Sequence, residues 1–442
     1  MPRIERCSRL SLLLQIPRKI AALTSKPRVV AAKTATASDL RGASRLVIDA
    51  TTGITDLVEA MHRNIARVPV LTTSAENGRA SGIAGFVYRT VRGVTRVVGG
   101  GIDAGLALVS PALASVPNVP AREAVLSALN GVLGDHLVDS KNPLAIAMQL
   151  RHQGHALTLT RDAISEQLPQ VTGKIVVLVH GLCMNDLQWK TGGDGVTKIH
   201  DHGAALQRDL GFTPVYLRYN TGRHVSVNGR EFASALKALL AAWPVPVESL
   251  VIVAHSMGGL VSRSAFHYGR KARHGWCKSL DKIIFLGTPH LGAPLEHGGN
   301  WIDILLGAMP YASPFAKLGK VRSAGITDLR HGSLLDEDWQ GQDRFERALD
   351  ALTPLPLPAS VRCYTIAATI DDGAKTKSVS AAGKRLLGDG LVPLNSALGK
   401  HMDAKRHLNF PEEHQRVLHG VNHMALLKAA QAYPALKAFV AA

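Results

Sequence analysis

The stretch VIVAHSMGGLVSR, residues 251–263, decides the fold. Its β-branched residues VIV predict a strand, the small residues around Ser256 predict a sharp turn, and the apolar spacing that follows predicts a helix. A serine at such a strand-to-helix turn, with small residues two positions before and after it, is presented as a nucleophile at the carboxyl edge of a sheet. Ala254 stands where this pattern usually has its first glycine. Because that position requires only a small side chain, alanine is compatible with the turn.

The length and composition predict a globular protein of two or three domains. The chain has 442 residues, of which 46% are hydrophobic, and its formal net charge is +17. Such a charge favours anionic partners, but no zinc-finger or RNA-binding motif accompanies it, and we therefore expect no nucleic-acid partner. The four cysteines form no C-x-x-C pair. We accordingly predict reduced thiols and a cytoplasmic location.

The N-terminal part of the chain carries no catalytic motif. Residues 1–38 form a basic leader that we predict to be disordered, and residues 39–170 predict a helical domain, with helices at 121–133, 143–150 and 157–168. No run approaches the ~20 apolar residues of a transmembrane helix. The segment 82–109 has an apolar face and an arginine face, which favours either peripheral membrane contact or tight helix packing.

From residue 171 onwards strands and helices alternate, and we expect residues 171–442 to form the catalytic domain. This alternation predicts an α/β fold with a doubly wound, mostly parallel sheet. A long insertion at about 295–358 interrupts it and predicts a cap over the site. Strands are predicted at 173–181, 212–219, 249–254, 282–287 and 361–369, the last clear one, and a closing helix at 424–440.

A serine nucleophile needs a histidine to accept its proton and a carboxylate to orient that histidine. Asp389 lies in the glycine-flanked loop GDGLVP, and His423 lies in HGVNHMALL just before the closing helix. Both follow Ser256 in the chain order that this type of sheet requires. Alternatives remain at this level: Asp371 and Asp372 for the carboxylate, and His419 for the base.

The oxyanion formed by nucleophilic attack needs two backbone N–H donors. One donor follows the nucleophile and is therefore Met257. The second comes from the loop after the strand at 173–181, where we predict Leu182, with Cys183 as the alternative. We assign His180 and Gly181 to the pocket beside it, with His180 bracing the loop and Gly181 allowing it to turn.

Five motifs together resemble the bacterial lipase and esterase lineage that includes the PGAP1-like hydrolases: LVHGL, AHSMGGL, GTPHLGAPLE, GDGLVP and NHMALL. The resemblance runs from about residue 171 to the C-terminus. It implies an α/β-hydrolase fold and a serine carboxylic-ester hydrolase acting on lipid or acyl esters, with Ser256, Asp389 and His423 as the triad. It also implies an acyl pocket close to Thr288, Pro289 and His290.

The chemistry so inferred requires no cofactor, and no residue spacing typical of a metal site occurs. Two alternatives remain. The same triad also serves acyltransferases, thioesterases and amidases, because the turn specifies the nucleophile and not the acceptor. The basic leader and the segment 82–109 would also suit a membrane-attachment protein whose hydrolase activity is secondary.

Overall fold

The computed structural model describes residues 42, 45, 120–168, 170–191, 200–292, 323–341, 352–371 and 388–442. They form an eight-stranded sheet, a two-stranded ribbon and helices packed on the sheet. The strands are β1 Gln149–His152, β2 His155–Ala156, β3 Lys174–Val179, β4 Lys190–Thr191, β5 His200–Asp201, β6 Thr213–Arg218, β7 Ser249–His255, β8 Leu280–Leu286, β9 Arg362–Thr369 and β10 Gln415–His419. The α-helices are α1 Pro120–Asp139, α2 Arg161–Gln167, α3 His202–Leu210, α4 Val225–Ala242, α5 Met257–Lys271, α6 Trp276–Ser279, α7 Ala324–His331, α8 Leu394–Ala397, α9 His423–Lys428 and α10 Tyr433–Ala441.

The strand order of the large sheet is β10-β9-β8-β7-β3-β6-β1-β2. The six strands from β10 to β6 are parallel, and only β1 and β2 are paired antiparallel. This topology confirms the predicted doubly wound, mostly parallel sheet of the α/β-hydrolase fold. The chain passes from β3 to β6 on one side and then to β7 on the other. Ligands of such sheets bind where the order reverses, here between β3 and β7.

The core lies around the central strands, whose apolar runs are buried completely. Residues 175–179 of β3 and 283–286 of β8 are all fully buried. Continuous burial is typical of parallel strands covered on both faces, and it explains why these runs do not alternate with polar residues. The same packing fixes the ends of β3, β7 and β8 relative to one another.

The prediction of helix for residues 143–150 is wrong. Residues 149–156 form the hairpin β1–β2, and β1 pairs with β6 through Arg151 and Tyr216. Gln153 and Gly154 have positive φ angles and make the turn. The pairing partner of β1 lies far away in the chain, and the short polar sequence QLRH has no strand periodicity of its own. Helix α2 is also shorter than the predicted 157–168.

A buried cluster of charges fastens α1 to the sheet. Glu123 on α1 accepts from Arg151 on β1 at 3.3 Å and forms an ion pair with Arg218 on β6 at 2.8 Å. Arg151 also donates to Asp186 at 2.9 Å. Burying charges is unfavourable unless they are paired, so two arginines and two carboxylates compensate one another here. Helix α1 thus belongs to the same packed body as the sheet.

The C-terminal region differs from the predicted single helix at 424–440. The chain forms α9 and α10, separated by a 3₁₀ turn at Ala430–Ala432, because Ala429 is extended and Pro434 favours a new helix start. The sequence-based prediction also missed β10, which pairs in parallel with β9. As a result, His423 follows directly after an additional strand, which fixes its position at the sheet edge.

The remaining predictions fall largely outside the described ranges. The leader 1–38, the segment 82–109 and most of the helical domain 39–170 are among the residues not described. Of the predicted cap, residues 323–341 and 352–358 are described, and the Ser323 hydroxyl donates to Gly131 O of α1 at 2.6 Å. No helix within the described ranges has both the length and the apolar character to cross a membrane.

The helix after Ser256 approaches the sheet so closely that two glycines are required at its start. A Cβ atom on Gly258 would lie 2.6 Å from Val179 O and 2.7 Å from His180 O. A Cβ atom on Gly259 would overlap Thr288. Real side chains do not reach such distances, so any larger residue would push α5 away from β3 and β8.

We predict that Gly258→Ala destabilises the protein by about 1–3 kcal/mol, since the methyl group meets fixed backbone oxygens. Urea unfolding of the purified chain measures the change. The matched control is Gly275→Ala, because Gly275 has φ −63° and nothing within 4 Å of an added Cβ. Equal unfolding midpoints for the two variants would contradict the close approach of α5.

Candidate active site

Ser256 lies at the turn between β7 and α5 in a strained backbone conformation. Its φ is 53° and its ψ is −125°, a region that non-glycine residues rarely occupy and that costs about 1–3 kcal/mol. The Ser256 N–H donates to Leu286 O at 2.9 Å, which ties the turn to the end of β8. The residue is only 6% exposed. The turn therefore holds the serine at the carboxyl edge of the sheet.

The loop after β3 runs beside this serine. Val179 pairs with Ala254 in register, and a Cβ atom on Gly181 would lie 2.9 Å from Ser256 Cβ. The Cys183 N–H already donates to Thr221 Oγ1 at 3.0 Å. Among the described residues, the N–H groups of Leu182 and Met257 have no hydrogen-bond acceptor. Of the two predicted choices for the second donor, the hydrogen bonding favours Leu182 over Cys183.

Asp389 lies in a tight turn between two glycines with positive φ angles, Gly388 and Gly390. Its Oδ1 accepts from the N–H groups of Leu391 at 3.1 Å and Val392 at 2.8 Å. Its Oδ2 lies 2.6 Å from His423 Nδ1. Two backbone amides and one imidazole thus hold this buried carboxylate in a single orientation. In this contact the carboxylate oxygen accepts, so His423 donates from Nδ1.

His423 begins α9, whose N-cap is Asn422. Its backbone N–H donates to Asp389 O at 3.0 Å, so main chain and side chain both link the two residues. Gly287, with φ 57°, allows this pair to approach β8: an added Cβ would lie 3.0 Å from Asp389 Oδ2 and 3.2 Å from His423 Nδ1. The Ser256 N–H is hydrogen-bonded to Leu286 O, and Gly287 lies beside Asp389 and His423. All three predicted triad residues therefore lie near residues 286–287.

His255 connects the serine turn to the histidine. Its Nε2 donates to His423 O at 3.0 Å, and the two imidazole rings lie 4.7 Å apart. Burial lowers the pKa of His255 well below its usual value, with the nearby His423 as a second cause. His255 is therefore a neutral donor that supports the backbone of His423. Ser256 Oγ itself has no hydrogen-bond partner within the described ranges.

The alternative site residues lie elsewhere. His419 is exposed, and its Nδ1 lies 3.2 Å from Thr369 Oγ1. Asp371 accepts from Gly420 N–H through its backbone oxygen and is half-buried. Asp372 lies outside the described residues. None of the described contacts brings these two alternative residues to Ser256, whereas Asp389 and His423 lie next to the loop that holds it.

The five residues assigned to the substrate pocket are all buried. His180 stacks on Tyr219 with ring centroids 4.5 Å apart, which agrees with a bracing position. Thr288 packs against the start of α5 at Gly259, and Pro289 follows it. The ring of His290 contacts Phe285 and Phe410 and faces Arg263 rather than the triad. Their role in binding a substrate stays a prediction.

Two features of the site become visible only in the tertiary structure. Gly287 is the first residue of the motif GTPHLGAPLE, but only the structure places Asp389 and His423 beside it. His255 adjoins the serine in the motif AHS, but its hydrogen bond to residue 423 spans 168 positions. The adjacency to Ser256 was the only available signal for His255.

Burial makes the thiols of Cys183 and Cys363 poor nucleophiles. Burial raises the pKa of the Cys183 thiol to about 12, and that of Cys363 likewise to about 12. A thiol with such a pKa contains almost no thiolate near neutral pH. Within the ranges that the structure describes, no group of three or more His, Cys, Asp or Glu side chains is arranged to hold a metal ion.

Comparison with known proteins supports the resemblance seen in the motifs. Residues 170–356 match the family model of the PGAP1-like alpha/beta domain. This match covers less than half of the chain, and it contains Ser256 but neither Asp389 nor His423. A comparison with curated protein sequences gives no match.

Several solved structures of hydrolases are distantly similar. The chain is 17% identical to the mature lipase BlEst2 of Bacillus licheniformis, with a TM-score of 0.38, over 60% of this chain and 91% of that one. It is 16% identical to lipase B of Aspergillus fumigatus, with a TM-score of 0.33, over 65% and 54% of the two chains. For the thioesterase RedJ of Streptomyces coelicolor the identity is 13% and the TM-score 0.33, over 62% and 91%. These likenesses are too distant to carry an inference about the reaction.

The buried histidines predict a loss of stability in acid. Burial lowers the pKa of His180 and of His202 to about 3, and those of His255 and His290 fall well below 6.5. In the unfolded chain these rings bind protons below about pH 6.5, whereas in the folded protein they stay neutral. Their contribution is therefore present above pH 6.5 and is lost as the pH falls, at about 1.4 kcal/mol per pH unit for each ring.

We predict that His202→Asn reduces the slope of unfolding free energy against pH by about 1.4 kcal/mol per unit, since one proton uptake is removed. Urea unfolding at intervals between about pH 6 and pH 4 measures this slope. His155→Asn is the control, because His155 is exposed. The prediction fails if both variants keep the slope of the unaltered protein.

Proposed function

We propose that the protein is a serine carboxylic-ester hydrolase that acts on lipid or acyl esters. One observation carries the proposal: the strained Ser256 turn shares the edge of the sheet with the buried pair Asp389–His423, whose imidazole is fixed at 2.6 Å from the carboxylate. A serine, a histidine and a carboxylate in this chain order are the groups that acyl transfer to a hydroxyl nucleophile requires.

In the proposed reaction, Ser256 Oγ attacks the ester carbonyl and His423 Nε2 accepts the hydroxyl proton. His423 serves as this base because its Nδ1–H is held by Asp389, which leaves the lone pair of Nε2 available. Asp389 then stabilises the imidazolium that forms. Burial of both residues, at 2% and 3% exposure, strengthens this interaction because little water screens it.

The negative charge on the carbonyl oxygen is accepted by the N–H groups of Leu182 and Met257. Gly181 brings the first donor next to Ser256, and the strained turn directs the second. One such donor contributes roughly 3 kcal/mol to lowering the barrier. His423 next returns its proton to the leaving alcohol, and an acyl-enzyme on Ser256 results.

Water completes the proposed cycle. His423 removes a proton from the water molecule, the hydroxide attacks the acyl-enzyme, and the carboxylic acid leaves as Ser256 regains its proton. No step requires a cofactor. The assignment to lipid or acyl esters rests on the motifs GTPHLGAPLE and NHMALL and on the match to a PGAP1-like domain.

We predict that Ser256→Ala lowers the hydrolysis of a short p-nitrophenyl ester by at least about 10³-fold, because the covalent step is lost. The variant should also no longer be labelled by a fluorophosphonate. Release of p-nitrophenol and in-gel fluorescence measure the two effects.

The control for this change is Ser234→Ala, which alters an exposed serine on α4. It should keep both turnover and labelling. If the Ser256 variant turned over the ester at the rate of this control, the proposed nucleophile would be wrong. If labelling were retained, the fluorophosphonate would be reacting elsewhere.

We predict that Asp389→Asn lowers kcat by roughly 10⁴-fold while the protein stays folded, because an amide can hold the wrong tautomer of His423. Steady-state kinetics together with a thermal melt measure the effect. Asp371→Asn is the matched control, since Asp371 lies at the same edge of the sheet, where its backbone oxygen accepts from Gly420 N–H. A larger loss for the control would assign the acid to Asp371.

A further inference from the structure

Arg263 is a buried cation on the helix that follows the nucleophile. Arg263 is only 5% exposed. It lies seven positions after Ser256, which corresponds to roughly 10 Å along α5 at 1.5 Å per residue. Within the described ranges no carboxylate forms an ion pair with it. A buried charge without a counter-charge is strongly unfavourable. Arg263 therefore differs from Arg151, which two carboxylates compensate.

The contacts of Arg263 leave hydrogen-bond donors unused. Its Nη2 donates to Leu355 O, and its Nη1 lies 3.5 Å from His290 Nδ1. Its Nε has no acceptor in the part of the chain that the structure describes. A guanidinium has five N–H donors and accepts nothing. Only two of these five N–H groups have an acceptor among the described residues, so three donors remain without one.

His290 adds a second unpartnered donor at the same place. Because Arg263 can only donate, His290 Nδ1 is the acceptor of their contact, and the proton of the neutral ring lies on Nε2. Among the described atoms, Nε2 has no hydrogen-bond partner although the residue is only 4% exposed. Burial keeps the ring neutral by lowering the pKa of His290 well below its usual value, with Arg263 as a second cause.

Both side chains line one cavity of about 60 Å³. One water molecule needs ~10–15 Å³ on this scale, so the space holds a group of several heavy atoms. The charged side chains that line it in the described ranges are Arg263, Lys405 and Arg406, all of them basic. Lys405 is exposed and lies at the rim. The potential in the cavity is therefore positive.

We propose that this cavity is an anion-binding site that takes a carboxylate or phosphate group, bound by the Arg263 guanidinium and by His290 Nε2–H. A planar guanidinium binds carboxylate and phosphate oxygens through parallel N–H groups. The anion supplies the missing counter-charge and accepts the two unpartnered donors. The site is distinct from the triad, since its contacts involve neither Ser256 nor His423.

The test measures anion binding to the full chain by calorimetry and by thermal melting. The buffer lacks phosphate, sulfate and carboxylate, and inorganic phosphate or acetate is added at constant ionic strength. We expect a saturable rise of Tm for the unaltered protein. Arg263→Met should weaken binding at least 10-fold, which corresponds to about 1.4 kcal/mol. The same variant should melt higher than the unaltered protein when no anion is present, because an uncompensated buried charge is removed.

Arg270→Met is the matched control, because Arg270 lies on the same helix but is exposed. It removes the same charge and should keep the affinity for the anion. Lys405→Met provides a variant that leaves the buried packing intact, and we expect it to weaken binding about 2- to 5-fold through the loss of one rim charge. The proposal is overturned if neither anion binds saturably, or if Arg263→Met and Arg270→Met bind equally.

A second arm distinguishes a free anion from an anionic group on a substrate, and it rests on the proposed function. The KM values of the unaltered protein and of Arg263→Met are compared for p-nitrophenyl butyrate and for the p-nitrophenyl monoester of a dicarboxylic acid. A KM increase for the charged ester alone supports a substrate group in the site. If the two proteins have equal KM values for the charged ester, but Arg263→Met is no longer stabilised by added anion, the site binds a free anion. If the unaltered protein hydrolysed neither ester, the proposed function would be refuted, but the anion binding measured by calorimetry would still stand.

Discussion

The strained conformation of Ser256 is the constraint on which the rest of the site depends. A serine at φ 53° and ψ −125° is unfavourable on its own, so the surrounding structure must hold it there. The hydrogen bond from Ser256 N–H to Leu286 O holds the turn on one side, and the contact of Gly258 with the end of β3 holds it on the other. Small residues at 254, 258 and 259 allow these approaches. Packing around the turn thus offsets the strain that positions one hydroxyl group.

The carboxyl edge of the parallel sheet then brings distant residues to the region of the serine turn. Strands β3, β7 and β8 contribute the loop at Gly181, the serine turn and Gly287, while the loops after β9 and β10 contribute Asp389 and His423. Parallel strands end at one edge, so loops far apart in the chain meet there. The neutral, buried His255 joins two of these loops, which makes the edge one hydrogen-bonded unit.

The buried arginines of this basic protein have two kinds of surroundings. Around Glu123, Arg151, Asp186 and Arg218, two carboxylates and two arginines compensate one another and fasten α1 to the sheet. Arg263 is buried equally well, but its described neighbours are a carbonyl and a neutral imidazole. In the first arrangement every charge faces an opposite charge, whereas Arg263 has no counter-charge among the described residues, and the proposed anion supplies it. This difference separates a structural contact from a binding site.

The sequence by itself determined the fold class and the candidate triad, because apolar runs, the turn at Ser256 and the loops around Asp389 and His423 are local patterns that reflect local backbone requirements. It did not determine β1 and β10, since each of these strands is stabilised by a partner far away in the chain. It predicted Asp389 and Leu182 but left Asp371 and Cys183 open as alternatives. Only the tertiary structure decided how these residues, His255 and Arg263 are arranged, because hydrogen bonds and charge compensation between distant residues leave no periodic signal in a single sequence.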